Sequence, residues 1–289
     1  MKEQIAAQLE PILAAYDPTS PAETADTLRE IWLGFEPKGL GIKAELQEKQ
    51  ETIGIPVPVL KTIGKGLSKT ARKRVDDFIP LTRLLWDEYG REGRVVGLLP
   101  LGAMELVDPH KIVPMLEEMT RSCVTWEDAD RMAMDALEPI VRKKPDEWLS
   151  VIEPWLVDEN KWVRRVAAIV IGRLPIKHPA YTERCVDLLE GLLFDEEVEV
   201  KKGVSFAIRL CCRGAVPPVR EFLERHVPPK EAVATWVLCD VIRSMTPSFL
   251  PEFKSLLLRY EKWAADSSLN AKDRRSVESA VKKLRSVTQ

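Results

Sequence analysis

The chain repeats one short pattern at a nearly constant spacing. Residues 158–165 (DENKWVRR) and 195–202 (DEEVEVKK) align at an offset of 37 residues, each with an acid first and two cations last. A related segment begins at Thr125, and its Trp126 lies 36 residues before Trp162. Self-similarity with this period is typical of stacked helical repeats, in which each unit buries its apolar face against its neighbours. The spacing therefore predicts an all-α solenoid of HEAT-like repeats.

Helix-start signals recur at similar distances. First helices of successive pairs are predicted to begin at Asp- or Pro-containing positions near residues 108, 145, 178, 216 and 246, and second helices near 125, 158, 195 and 230. Proline suits the first turn because its φ is already helical and its missing N–H is not needed there. The β-branched run at 166–171 lies inside a helical pattern, and no segment alternates long enough to predict a strand. We expect an α–α superhelix with a concave, partly basic groove.

The pattern predicts one solenoid over residues 1–289. Residues 1–55 are expected to form N-terminal helices (Lys2–Tyr16 and a second ending near Phe35) and a loop with at most a short helix. Repeats follow over 56–225, and 226–289 would hold C-terminal repeats and a polar cap formed by a helix over Asn270–Arg285. A solenoid with polar caps predicts a monomer.

Composition bounds the function. The net charge of −2 and the pI of about 6.1 argue against a wholly basic nucleic-acid coat, but permit a basic stripe. Five cysteines and three scattered histidines show no zinc-ligand spacing, so we expect reduced thiols and neither a metal nor a cofactor. The amphipathic N-terminus differs from a signal peptide, and no apolar run approaches the roughly 20 residues of a membrane span. A cytoplasmic protein is predicted.

Trp126 and Asp130 are the first candidate pair. Residues four apart share one face of a helix, which would place the indole beside the carboxylate. The alternative is that Trp126 packs in the core and Asp130 is one of three solvated acids, together with Glu127 and Asp128. From the residues alone, both interpretations stay open.

The paired cations are the second candidate. Arg164 and Arg165, and one period later Lys201 and Lys202, form a cationic ladder that matches successive phosphates of a duplex. Adjacent residues point about 100° apart on a helix, so at most one of each pair faces the groove squarely. In the alternative interpretation, the acid and arginine of an Asp-x4-Val-Arg pattern tie neighbouring repeats together, which would occupy Arg164.

Two aromatic residues accompany the cations. Trp162 precedes the arginine pair, and Phe206 follows the lysine pair by one helical turn and shares its side of the helix. Core packing is the alternative role for Phe206. These features predict a HEAT-like solenoid that is suited to binding nucleic acid.

Five blocks, in order over roughly residues 50–225, resemble the AlkD-type DNA alkylation repair family of HEAT-repeat DNA glycosylases. They are Gly54–Lys61, Leu85-Trp86-Asp87 with Arg91-Glu92, Trp126-x-x-x-Asp130, the Asp158–Arg165 segment, and Lys202–Arg209. The resemblance implies that Trp126, Asp130, Arg165 and Phe206 surround a lesion. It implies excision of cationic N3- or N7-alkylpurines from duplex DNA in the concave groove, without a conventional base-flipping pocket, cofactor or metal.

The sequence departs from the family pattern at one aromatic position. Phe206 stands where the family has tryptophan, and phenylalanine is the weaker cation–π partner. Two alternatives therefore remain open. One is a non-catalytic HEAT-repeat protein that binds damaged or branched DNA. The other is a scaffold for protein partners, which the cationic ladder makes the less favoured interpretation.

Overall fold

The computed structural model describes residues 1–35 and 44–287, without the side chains of 44–46, and these residues contain helices and no strand. They form two compact units, Met1–Ile140 and Val141–Gln289. The all-α helical-repeat prediction is confirmed, whereas a single continuous solenoid stays a prediction. The part of the predicted 36–55 loop that covers 36–43 lies outside the described residues, and a short helix follows it, as expected.

In the described part of the first unit, six helices have 13 to 16 residues, and α3 and α8 have 6 each. Its helices are α1 (Lys2–Ala15), α2 (Pro21–Leu33), α3 (Ala44–Lys49), α4 (Val57–Ala71), α5 (Val75–Glu88), α6 (Gly90–Glu105), α7 (Pro109–Arg121) and α8 (Trp126–Arg131). A π-helical turn (Met132–Leu137) follows α8 and leads into α9 (Glu138–Lys143). Helices α1, α4, α6 and the π turn pack in sequence, and α5 and α7 pack against α6.

The second unit continues the helical pattern. Its α-helices are α10 (Pro145–Ile152), α11 (Lys161–Arg173), α12 (Thr182–Leu188), α13 (Val198–Cys211), α14 (Val216–His226), α15 (Thr235–Arg243), α16 (Leu257–Ala264) and α17 (Ala271–Arg285). Short 3-10 helices cover Glu153–Val157, Leu174–Ile176, Pro179–Tyr181, Glu190–Phe194, Ala232–Ala234 and Leu250–Leu256. Helices α11, α13, α15 and α17 pack in order, and α12 packs against α14.

Most predicted starts agree with these bounds. Pro109, Pro145 and Pro179 each take the first position of a helix or 3-10 turn, and Asn270 caps α17 by accepting from two backbone N–H groups. The run at 166–171 is fully buried within α11, as expected. Near the start expected at 230, a 3-10 helix covers Ala232–Ala234, and the α-helix follows from Thr235.

Buried thiols account for the cysteines. All five are free and buried, and burial raises the pKa of Cys185, Cys212 and Cys239 to about 12. They therefore stay protonated and unreactive at neutral pH. Within the described ranges, no group of three or more His, Cys, Asp or Glu side chains is placed to hold a metal ion. The same residues include no helix long and apolar enough to cross a membrane.

Candidate functional site

The start of α8 is fixed by a capping box. Thr125 accepts a hydrogen bond from the Asp128 N–H (3.2 Å) while the Asp128 carboxylate accepts from the N–H groups of Thr125 and Val124 (3.1 Å each). The arrangement satisfies backbone donors that a helix start otherwise leaves without partners. Arg94 from α6 donates to the same carboxylate at 2.8 Å, and Gln50 donates to its other oxygen at 3.3 Å. The helix that carries the first candidate pair is therefore held at its first turn.

Two of the three neighbouring acids are committed to this structure. Arg91 of α6 makes a two-pronged contact with Glu127 (2.7 and 3.2 Å), and both side chains are buried. Asp128 serves the cap and Arg94. A planar guanidinium that meets a carboxylate through two N–H groups gives directional, charge-assisted hydrogen bonds. Glu127 and Asp128 therefore serve the attachment of α8 to α6.

Trp126 and Asp130 lie one turn apart on α8. Trp126 is half-buried. Asp130 is buried, with 9% of its surface exposed to solvent. The π-helical turn begins two residues after Asp130, and such turns occur frequently at functional sites. Within that turn, Asp135 accepts from Lys61 at 2.7 Å, which joins the π turn to α4.

Arg164 ties two repeats of the second unit together. Its guanidinium contacts Asp195 through two nitrogens (2.6 and 3.2 Å) and also donates to the carbonyls of Asp158 and Glu159. Asp195 is the residue that the offset of 37 places at the start of the next repeat. The alternative interpretation of the Asp-x4-Val-Arg pattern is thereby confirmed, and Arg164 has little surface left for DNA.

Arg165 is also held inside the second unit. It is 4% exposed, its Nη1 donates to the backbone carbonyl of Glu199, and the Glu199 carboxylate lies 3.4 Å away. Gly203 lets this side chain lie flat on α13, because a Cβ at that position would come within 2.9 Å of the Arg165 Cγ. Lys202 shares Glu199 at 3.0 Å and is exposed, and Lys201 is half-buried. Of these four cations, Lys202 is the one classed as exposed.

The predicted aromatic residues differ in their surroundings. Trp162 is buried, and the Lys161 ammonium lies 5.5 Å from its ring centre. Phe206 is half-buried, with the Arg209 guanidinium 5.9 Å from its ring centre. One cation therefore already lies over Phe206. Trp126 and Asp130 belong to the first unit and the remaining six predicted residues to the second.

The structure also contains a buried acid, Glu105, near α9, which the sequence does not single out. Glu105, at the end of α6, is fully buried, and neither carboxylate oxygen has a hydrogen-bond partner of ordinary geometry among the described residues. Burial raises the pKa of Glu105 to about 10, the nearby backbone of Ile140 opposes the rise, and the Glu138 carboxylate adds to it. The group is therefore a neutral acid at neutral pH. The only sequence signal was an acid at an apolar position of a helix.

Comparisons with known proteins agree with the motifs. A sequence model of the family described as DNA alkylation repair enzyme matches residues 34–236. The crystal structure of smu.31 from Streptococcus mutans UA159 is similar, with a TM-score of 0.50 at 16% identity over 66% of this chain and 99% of that chain. This second similarity shows a shared fold. A crystal structure of an engineered protein gives a TM-score of 0.36 at 13% identity, covering 95% of this chain and 77% of that one.

A search of curated proteins finds no match. The family match covers well over half of the 289 residues and includes all eight of the predicted site residues. It also contains the braced start of α8 and the lysines of α13. The chain therefore belongs to the DNA alkylation repair enzyme family.

Proposed function

We propose that this protein is a monofunctional DNA glycosylase that hydrolyses the N-glycosidic bond of cationic N3- or N7-alkylated purines in duplex DNA. The observation that carries the proposal is the pair Trp126 and Asp130, one turn apart at a braced helix start within the span matched to the repair family. The proposal includes action as a monomer, without a metal or cofactor.

The proposed reaction needs little acid catalysis from the protein. An N-alkylated purine is already positively charged, so it leaves as a neutral base when the bond to C1′ breaks with both bonding electrons. The sugar then develops positive charge, and water adds to C1′ and releases a proton. A carboxylate beside C1′ stabilises that charge and orients the water. Asp130 supplies this group in the proposal.

Trp126 supplies the aromatic surface. A ring face beside the deoxyribose attracts developing positive charge by about 0.5–2 kcal/mol. Phe206 is a weaker candidate for the same task, because phenylalanine attracts cations less than tryptophan does and Arg209 lies over its ring. We therefore assign the main aromatic contribution to Trp126.

The lysines make the phosphate contacts in this proposal. Lys202 is exposed and Lys201 is half-buried, whereas Arg164 and Arg165 are engaged by Asp195 and the Glu199 backbone. Lysine binds phosphate as a point charge and does not need a fixed geometry. The two arginines then act by holding α11 and α13 in place.

The test is release of 7-methylguanine and 3-methyladenine from methylated duplex DNA, with Asp130→Asn beside the wild type. We expect Asp130→Asn to bind the duplex but to release bases about 10²-fold more slowly or worse, a typical loss for an acid–base group. Asp76→Asn makes the same chemical change at an exposed position on α5 and should leave release unchanged.

The outcomes separate the alternatives. Release that needs Asp130 supports the glycosylase. Binding without release by the wild type points to the non-catalytic DNA-binding alternative, which the Phe206 departure favours. Equal rates in wild type and Asp130→Asn would mean that another group supplies the carboxylate.

A further inference from the structure

The Trp-x-x-x-Asp pattern of α8 occurs a second time. Residues 125–130 read TWEDAD and residues 235–240 read TWVLCD, an offset of 110, which is about three repeat periods. In both places the threonine directly precedes or begins a helix, α8 in the first unit and α15 in the second. The fold thus contains a second indole–carboxylate pair, Trp236 and Asp240, at the equivalent place in a later repeat.

The surroundings of Asp240 exclude a catalytic role. One oxygen accepts from Ser205 (2.7 Å) and Arg209 (3.1 Å), and the other accepts from Arg243 and Ser244 (3.2 Å each). Four donors saturate the carboxylate, so it offers no lone pair for a water or a developing sugar cation. Its effect is to hold two arginines together.

Both arginines are also stacked on aromatic rings. Arg209 lies 5.9 Å from the ring centre of Phe206, and Arg243 lies 5.7 Å from that of Trp236. Their side chains remain 18% and 24% exposed. Stacking and the shared carboxylate fix the planes of the guanidinium groups, which lowers the entropy lost when they bind a ligand.

The cluster keeps both positive charge and donors. Two cations share one anion. Within the described residues, Arg209 donates through Nη1 to Ser205 and Asp240, which leaves at least three of its five N–H groups for a ligand. Arg243 uses one N–H for Asp240. A pair of oriented forks with spare donors suits a tetrahedral oxyanion.

We propose that Arg209 and Arg243, organised by Asp240, Phe206 and Trp236, form a binding site for one backbone phosphate of DNA. The inference rests on the proposed function, because it takes the DNA substrate from there. It gives the aromatic residue at 206 a second task, as a platform for an arginine rather than as a contact to the lesion.

The test is the salt dependence of binding to an undamaged duplex, measured by fluorescence anisotropy for Arg209→Gln and Arg243→Gln. Loss of one phosphate contact should lower the slope of log K against log salt by about 0.9 and weaken binding by about tenfold. Arg225→Gln is the matched control, because Arg225 also lies over an aromatic ring (Phe222, 5.8 Å) and pairs with an acid (Asp187), but on α14 and α12. It should change neither quantity.

A second measurement uses the wild type, so it does not depend on variants that fold. Phenylglyoxal modifies exposed arginines, and mass spectrometry reads each site. Duplex DNA should protect Arg209 and Arg243 but not Arg225. Equal modification with and without DNA, or Gln variants that bind like Arg225→Gln, would overturn the site.

The results also distinguish this inference from the proposed function. Binding that needs Arg209 and Arg243, with no base release, would refute the glycosylase and keep the phosphate site. Base release with unchanged Gln variants would do the reverse. A wild type that does not bind duplex DNA at all would refute both.

Discussion

Replacing Glu105 by glutamine tests whether a neutral carboxylic acid lies near α9. The side chain is fully buried at the end of α6, and burial raises its pKa to about 10 from a value of 4.5 in the unfolded chain. Between these two values the folded protein keeps a proton that the unfolded chain has lost. The free energy of unfolding of the wild type therefore falls as the pH rises through this window.

The size of the effect follows from the window. A proton difference of one changes the free energy of unfolding by about 1.4 kcal/mol per pH unit, so the wild type should lose about 4 kcal/mol between pH 5 and pH 8 through Glu105. The pH range ends at 8, below the folded pKa of Glu105, so the expected loss does not depend on the exact value of that pKa. Glutamine has nearly the shape of the protonated acid and does not titrate, so Glu105→Gln should lack this loss.

The assay is urea denaturation of wild type and Glu105→Gln at pH 5, 6.5 and 8. The difference in the free energy of unfolding, variant minus wild type, should increase steadily with pH, because all other titrating groups cancel. Glu118→Gln is a control that should stay nearly flat over this range, since Arg83 lowers the pKa of the exposed Glu118 and the carboxylate is therefore ionised in both folded and unfolded protein above pH 5. A difference that is flat with pH would show that Glu105 is ionised in the folded protein, and would refute the argument.

Two further predictions concern the contact between α11 and α13. Gly172→Ala should destabilise the protein by about 1–3 kcal/mol, because its Cβ would lie 2.5 Å from the Ala207 Cα. Gly191→Ala is the control, because a Cβ there would meet no described atom within 4 Å, and thermal denaturation should show it to be near neutral. Arg164→Met should lower the free energy of unfolding by about 3 kcal/mol, because it leaves the buried Asp195 charge without its partner. Adding Asp195→Asn to this variant should restore part of the lost stability. A double variant no more stable than Arg164→Met would show that the stranded charge is not the cause.

Patterns along the chain predicted the elements well where the signal is local. Proline at a first turn and Asn270 as a cap act through their own backbone neighbours, so the helix starts at 109, 145 and 271 follow from the sequence. The π turn after α8 has no such signal, because one extra residue in a turn leaves the apolar pattern almost unchanged.

The role of the candidate site residues stays a prediction. The sequence proposes Trp126, Asp130 and the four cations, and the Asp-x4-Val-Arg pattern anticipated the tie between Arg164 and Asp195. It did not show that Arg165 lies against the Glu199 backbone. Adjacent side chains diverge by about 100° on a helix, and the partner of each depends on how the next helix packs.

By itself, the sequence determined the helical repeat, most helix starts and the family, because these depend on periodicity and on residues close together in the chain. Only the tertiary structure decided which acid forms an ion pair with which arginine. Glu127 and Asp128 pair with arginines 36 and 34 residues upstream, and Asp240 with one 31 residues upstream. Such pairs form only when two helices lie side by side, since ion pairs depend on distances of a few ångströms that spacing along the chain does not fix.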